Sequence, residues 1–346
     1  YKSSSVFVVD PYNSDLFNFS QDVYSGYFMY SLKLKKVNFR LGARVEYTNV
    51  DGNFIASHTA IRSGYAAFLP NLQLTRKFSN VYSTVLTYSK RLNRPYIKTL
   101  NPFIDNSDSL NITFGNPQLK PQTTHNLSWQ HRVTKGSFFT GITLTGAYSN
   151  NMIIQYTTFD KTTGVSSTTS ANLGRSFQLS ANANINLKLS KSWNLMVNGD
   201  IRYNHIQNNI PPYQLFKGVG GNGSINTYFK IGKSLTLSSN AGFLYLPVTA
   251  QVQSGPQYWY GSKMAVKMFK EKVTFSLNYT NFMDRYFDYK STVKDLNFIT
   301  TKVNTSLYRR LNVSLLWSFG KLKENVSKKK GVYNDDLLDN EKKTNQ

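Results

Sequence analysis

The chain of 346 residues contains no cysteine, and charged residues make up only 17% of it. Without cysteine there is no disulfide scaffold, no thiol catalysis and no Cys-based zinc site. Acids are scarce: 18 Asp and Glu stand against 41 Lys and Arg, a formal net charge of +23. Long apolar runs are missing too. The longest is the short Phe243–Val248, far below the ~18 residues that a membrane-spanning helix needs. The start at Tyr1 without Met raises the expectation of a processed N-terminus or of a part of a longer chain.

Aromatics are abundant. With 23 Tyr and 23 Phe the bulk of the chain is not a solvated coil. Most of the polarity comes from Asn, Ser and Thr rather than from charge, and it follows a period of two. In Val37–Thr48 one face carries Val37, Phe39, Leu41, Ala43, Val45 and Tyr47. The other carries Asn38, Arg40, Gly42, Arg44, Glu46 and Thr48. Phe177–Leu189 and Trp193–Tyr203 alternate in the same way, and Leu235–Tyr245 and Leu311–Phe319 repeat it. Successive strand side chains point to opposite faces, so these are strands with one apolar side.

The strands run roughly 10–13 residues, against a usual length of about 5–6, and a tilted strand crosses a bilayer in about 9–11. Short turns near Lys35–Lys36, Ser79–Asn80, Thr134–Ser137, Ser190–Ser192, Gly232–Ser234 and Lys270–Lys272 alternate with long loops. The long ones lie near Asn49–Ala66, Arg91–Pro121, Asn150–Asn172, Asn204–Gly218, Pro247–Gln257 and Asp288–Asp295. That alternation is the habit of outer-membrane barrels, with short periplasmic turns and long outer loops. The apolar rows hold no charged residue, and aromatics such as Trp193 and Tyr203 stand at their ends, as interfacial girdles would. A soluble sandwich or propeller would carry more Lys and Glu on its outward faces.

The expected fold is therefore all-β, a transmembrane antiparallel up-and-down β-barrel. About thirteen strands are expected. The first six are Asp22–Leu34, Val37–Thr48, Ala67–Phe78, Val81–Lys90, Gln122–Val133 and Phe138–Gln155. Leu173–Leu189, Trp193–Asn204, Val219–Ile231, Leu235–Leu246, Tyr258–Phe269, Val273–Phe287 and a last strand ending at Phe319 complete the set. Single-chain bacterial barrels have even strand numbers, so these are expected to be the C-terminal strands of a larger barrel of 22. Residues 1–320 would be barrel. Residues 321–346, rich in Lys and acids, would be a disordered periplasmic tail.

Few residues suggest chemistry. His125 and His131 share a strand face but are six residues apart, about 20 Å. His58 and His205 fall in or beside separate outer loops. Gly232-Lys-Ser234 resembles the end of a Walker A motif, but Thr227 stands where its first glycine belongs. No G-x-S-x-G occurs. No catalytic residue, cofactor or metal is expected. The polar strand faces are the better candidates: Arg40, Arg44 and Glu46 on one, Asp200 and Arg202 on another, all expected to face a lumen. Tyr258-Trp-Tyr260 reads as part of a girdle. The net charge, lying in loops, turns and polar faces, points to lipopolysaccharide and phospholipid headgroups rather than to nucleic acid.

One segment carries more than periodicity: Tyr88-Ser-Lys-Arg-Leu-Asn-Arg-Pro95, Leu100-Asn-Pro-Phe103 and Gly115-Asn-Pro-Gln-Leu-Lys-Pro121. With Leu41–Thr48 and Asn312–Gly320, it resembles the TonB-dependent receptor barrels of Bacteroidetes-type bacteria. The nearest likeness is to their outer-membrane β-barrel family with a carboxypeptidase-like N-terminal domain. The resemblance implies nutrient import and an N-terminal plug that engages TonB. A surface lipoprotein is a further expected partner, and a non-transporting platform for secretion or surface assembly is the alternative. Physically, Pro95, Pro102, Pro117 and Pro121 remove donors and should keep the stretch out of a ladder. Asn101 and Asn116 before proline start turns, and Gly115 is free to take positive φ. With Arg94, these residues are expected to build a stiff outer loop.

Overall fold

In the computed structural model the described residues are 15–320, apart from 56, 210–214, 247–250 and 295–297, together with the backbone of 2–3 and 6–7. Segment 321–346 and parts of four expected outer loops thus lie outside the described residues. Thirteen strands form one antiparallel sheet, and each pairs with the next in sequence. In chain order they are β1 Phe17–Lys33, β2 Val37–Phe54, β3 Thr59–Lys77, β4 Tyr82–Asn93, β5 Gln122–Lys135, β6 Phe138–Asn150 and β7 Gly174–Lys188. Then come β8 Trp193–Asn208, β9 Leu215–Ile231, β10 Leu235–Tyr245, β11 Gln257–Met268, β12 Val273–Thr280 and β13 Arg310–Trp317. The all-β, up-and-down expectation and the count of thirteen match. Strands β1 and β13 are the two ends of the sheet.

The register joins the apolar rows into one belt. Leu86 lies opposite Trp129, and Trp129 opposite Leu144. Ile185 lies opposite Val197, and Val197 opposite Ile225. Ile225, Leu179 and Ile201 are each about half exposed or more, and so continuous an apolar surface marks a lipid contact rather than a water contact. Trp193 and Tyr203 on β8 are ten residues apart, about 33 Å along the strand and about 24 Å across a membrane at a tilt of ~45°. The opposite, inner face is an amide and hydroxyl wall: Asn182 faces Asp200, Asp200 faces Asn222, and Ser128 faces Thr145. Small residues let large ones lie flat against the wall. Phe243 covers Gly223, and Trp259 covers Gly242, where an added Cβ would meet the rings at 2.6 and 2.5 Å.

The first outer connection differs from expectation. Asn49–Ala66 is mostly strand: β2 runs to Phe54 and β3 starts at Thr59, so the two strands are 18 and 19 residues long. At Thr48–Asn49 the polarity changes sides. Below this point the outward residues are apolar and the inward ones polar. Above it, inward Val50 and Phe54 are buried while outward Asn49, Asp51 and Asn53 are exposed. β1 does the same, with Phe17 and Phe19 aligned inward and Asn18 and Ser20 outward. Water rather than lipid lies outside this part, so the apolar face turns inward to find cover. Val50, Phe54, Ile61, Leu100 and Leu119 form a small core there.

Two expected strands are each two elements. Phe138–Gln155 is divided by Asn151 at φ 52°, and Val273–Phe287 by Asn281 at φ 51°. Asn tolerates the left-handed region better than most residues. After each pivot the chain leaves the barrel sheet. Ile153–Phe159 pairs with Ser166–Asn172, and Tyr286–Lys294 pairs with Ile299–Leu307 and with Val252–Ser254. The expected loops Asn150–Asn172 and Asp288–Asp295 therefore contain strand pairs of their own. Among the described residues no helix is long and apolar enough to cross a membrane.

Candidate functional site

The site is built where the Pro-rich connection between β4 and β5 folds back over the inner face of β1–β3. Pro70 marks the place. Pairing of β3 with β4 begins just below it, at Asn71, and a residue without an N–H suits the end of a ladder. Above Pro70 the connection takes over from β4. Pro95 is followed by the single helical turn Ile97–Leu100, whose Leu100 enters the small core with Leu119.

Two Asn-Pro turns shape this segment in the same way. Asn101 Oδ1 accepts the Phe103 N–H at 2.9 Å, and Asn116 Oδ1 accepts the Gln118 N–H at 2.9 Å. Each side-chain amide then ties the turn to a neighbour: Asn101 Nδ2 to Asp15 Oδ2 at 2.6 Å, and Asn116 Nδ2 to the Ser170 carbonyl at 3.0 Å. Gly115 does not have positive φ, contrary to expectation. Glycine is needed there because an added Cβ would overlap the Asn101 backbone. The same closeness lets Gly115 N–H donate to Asn101 O at 2.8 Å and Asn116 N–H to Thr99 O at 2.7 Å. Prolines do not keep the whole stretch out of ladders either. Between Pro102 and Pro117, Asn111–Thr113 pairs in parallel with Ser166–Thr168.

Arg94 anchors the segment. Its side chain is 1% exposed. Its Nη2 lies 2.5 Å from Glu46 Oε2, and its Nε and Nη2 donate to Thr48 Oγ1 at 3.1 and 2.9 Å. Glu46, 4% exposed, also holds Arg44 Nε at 2.5 Å. Two guanidinium groups thus share one carboxylate, which compensates its burial. Arg40, on the same inner face, is exposed. Asp200 and Arg202 lie on the inner face of β8 and pair with each other at 2.7 Å, and Asn222 Nδ2 also donates to Asp200. The structure therefore brings Arg44, Glu46 and Arg94 together and leaves Asp200 and Arg202 as a separate pair six strands away. Pro121 delivers the chain into β5, where Lys120 N–H donates to Asn172 Oδ1 at 2.8 Å.

Between this segment and the hairpin Ile153–Phe159/Ser166–Asn172 lies a cavity of about 830 Å³. Phe17, Tyr96, Phe103 and Phe114 give it aromatic walls, and Asn101 and Gln155 contribute amides. Thr169 Oγ1, in its lining, is buried without a hydrogen-bond partner among the described residues. At the rim, hydrogen bonds from the Ser107 hydroxyl and N–H hold the Asp105 carboxyl below the usual carboxylate range. Such a concave, mostly apolar space with a few polar groups is the form of a small-molecule site. Periodicity could not reveal this aromatic lining, because these residues sit outside the alternating rows. The clustering of aromatics with Asn-Pro turns was the available signal.

Other candidates separate. His58 stands at the tip of the β2–β3 hairpin and His205 on the outward face of β8. His125 Nδ1 bonds to Tyr88 Oη at 2.9 Å. Among the described residues no group of three or more metal-ligating side chains converges. Tyr260 is a fastener: its hydroxyl donates to Asp284 Oδ2 at 3.0 Å and accepts the Met283 N–H at 3.0 Å.

No curated protein matches the chain in sequence. Among solved structures it is similar to the siderophore receptor PirA from Pseudomonas aeruginosa, with TM-score 0.59 and 13% identity over 88% of this chain and 58% of that one. It is also similar to the copper transporter OprC, with TM-score 0.64 and 13% identity over 87% and 50%. The ferric yersiniabactin uptake receptor FyuA from Yersinia pestis gives TM-score 0.59 and 10% identity over 87% and 46%. The chain thus spans about half the length of these structures, and the likeness is one of fold. The family model described as "Outer membrane protein beta-barrel family" matches residues 1–317. With its lipid-facing belt and meandering sheet, the chain belongs to the outer membrane protein beta-barrel family.

Proposed function

We propose that the chain is the barrel portion of a TonB-dependent receptor-like transporter that imports a nutrient across the outer membrane. The observation that carries this reading is the aromatic cavity at the outer end of the barrel, held by the Arg94–Glu46 anchor above a polar inner wall. A ligand caught there lies over the passage rather than on the outside of the protein. The fold likeness to a siderophore receptor and a copper transporter supports the reading. In it, Arg40, Arg44, Glu46, Asp200 and Arg202 line the lumen, and an N-terminal plug engages TonB. A surface lipoprotein covers the mouth, and the C-terminal segment lies in the periplasm. The protein carries no catalysis of its own.

The test is growth of a strain lacking the full-length protein on limiting iron, copper and carbon sources, with TonB present and absent. A TonB-dependent growth defect on at least one source is expected, and Phe103→Ala with Tyr96→Ala should reproduce it. Unchanged growth on all sources would favour the structural platform, and steady conductance of the full-length protein in planar bilayers would favour a diffusion pore.

A further inference from the structure

The register assembles a basic row that no single strand displays. Lys90 on β4 lies opposite His125 on β5, and His125 opposite Tyr148 on β6. Tyr148 lies opposite Phe177 on β7, Phe177 opposite His205 on β8, and His205 opposite Lys217 on β9. All six are on the outward face, the same face as the apolar belt. Arg175 is exposed on this face, one step farther from the membrane centre than Phe177. The basic side chains fall into two groups: Lys90 with His125, and Arg175 with His205 and Lys217. Three strand spacings separate the two histidines, about 14 Å. No acidic residue occupies the outward positions of β4–β9.

Directly beneath this row the belt is hollowed. Small Gly146 and Ala181 sit among Leu127, Trp129, Leu179 and Tyr203, leaving an apolar depression of about 580 Å³ on the lipid side. A basic row above an apolar depression has the chemistry of an anionic lipid: phosphate at the interface, acyl chain below. Two cationic groups on one side of the depression suit a headgroup with two separated phosphates better than one with a single phosphate.

We infer that the outward face of β4–β9 binds one lipopolysaccharide molecule of the outer leaflet. Its lipid A phosphates rest on the Arg175–His205–Lys217 and Lys90–His125 groups, and one acyl chain fills the depression over Gly146 and Ala181. Near an anionic membrane surface the Lys and Arg side chains of both groups add attraction for the phosphates. The inference rests on the proposed orientation, with the long connections outside, but not on transport.

The experiment uses the full-length protein, delipidated in mild detergent and titrated with diphosphorylated lipid A, monophosphorylated lipid A or phosphatidylglycerol, with native mass spectrometry as the readout. One diphosphorylated lipid A per chain is expected to remain bound, and 10 mM inorganic phosphate should not displace it. Arg175→Glu with Lys217→Glu should lower retention about tenfold or more, and Ala181→Leu should lower it without changing charge. Arg175→Gln with Lys217→Gln serves if the reversed charges prevent folding, which heat-modifiable migration reports. Equal retention of phosphatidylglycerol, or no effect of either double variant, would overturn the site. If Arg76→Glu, at the other end of the belt, abolishes retention while the Arg175 and Lys217 variants do not, the orientation is at fault instead.

Discussion

Arg94 shows how one side chain organises the outer mouth. A guanidinium that is 1% exposed is tolerated because Glu46 and Thr48 receive it. Removing Glu46 leaves Arg94 buried without a carboxylate, and removing Arg94 leaves Glu46 to Arg44 alone and cuts the link between the loop and the strand face. Arg94→Ala should therefore weaken docking of residues 95–121 by about 3–5 kcal/mol. The double variant with Glu46→Ala should cost much less than the sum of the two single changes. Hydrogen exchange of the Ile97–Leu119 segment in a double-mutant cycle measures both. Gly115→Ala should open the same segment by pushing its backbone off Asn101 and Thr99, whereas Gly26→Ala, on β1 with nothing within 4 Å of the added carbon, should leave it closed. Both Arg94 and Glu46 were visible in the sequence as notable residues. Their partnership was not, because they are 48 residues apart and no periodicity links a loop position to a strand face.

At the scale of elements, a residue's environment follows its face. Ile225 and Asn226 are adjacent on β9 but face lipid and the inner wall respectively. Ile225→Arg should destabilise the barrel by about 2–4 kcal/mol, and Asn226→Arg by far less; unfolding of the full-length protein in vesicles by denaturant measures the difference. The barrel strands were legible because alternation alone specifies a two-sided wall. Their upper ends were not, because the pattern changes phase at Thr48–Asn49, and a phase change reads like a loop when only one apolar face is expected. The outer turns also respond to acid. Hydrogen bonds from the Thr163 hydroxyl and Thr162 N–H hold the Asp160 carboxyl below its usual range. A depressed carboxyl stabilises its turn above the unfolded pKa and loses that contribution as pH falls through the folded one. Protection of the Thr162 amide, corrected for intrinsic exchange, should therefore persist at neutral pH and fall in strong acid, and Asp160→Asn should remove the dependence.

For the whole molecule, the sheet is a wall with two ends. The outermost strands, β1 and β13, present ladder edges that the described residues do not join to each other, and unpaired edges are a liability in lipid and in water alike. On the proposed reading of a larger barrel, residues 1–346 expressed alone are expected to lack heat-modifiable migration and protease resistance in detergent, and the whole barrel to show both. The net charge of +23 also gains meaning at this scale. A basic composition suggests a polyanion, but only the cross-strand register shows that Lys90, Arg175 and Lys217, far apart in sequence, stand along one rim.

The two Asn pivots have a consequence for redesign. Within a strand, adding a single residue would exchange the lipid and water faces of everything after it. Asn151 and Asn281 discharge that constraint, since beyond them the chain no longer keeps step with the wall. Peptides of odd or even length grafted between Phe159 and Ser166 should thus be displayed beyond the membrane belt without disturbing it. The same graft placed two residues below Asn151 should scramble it.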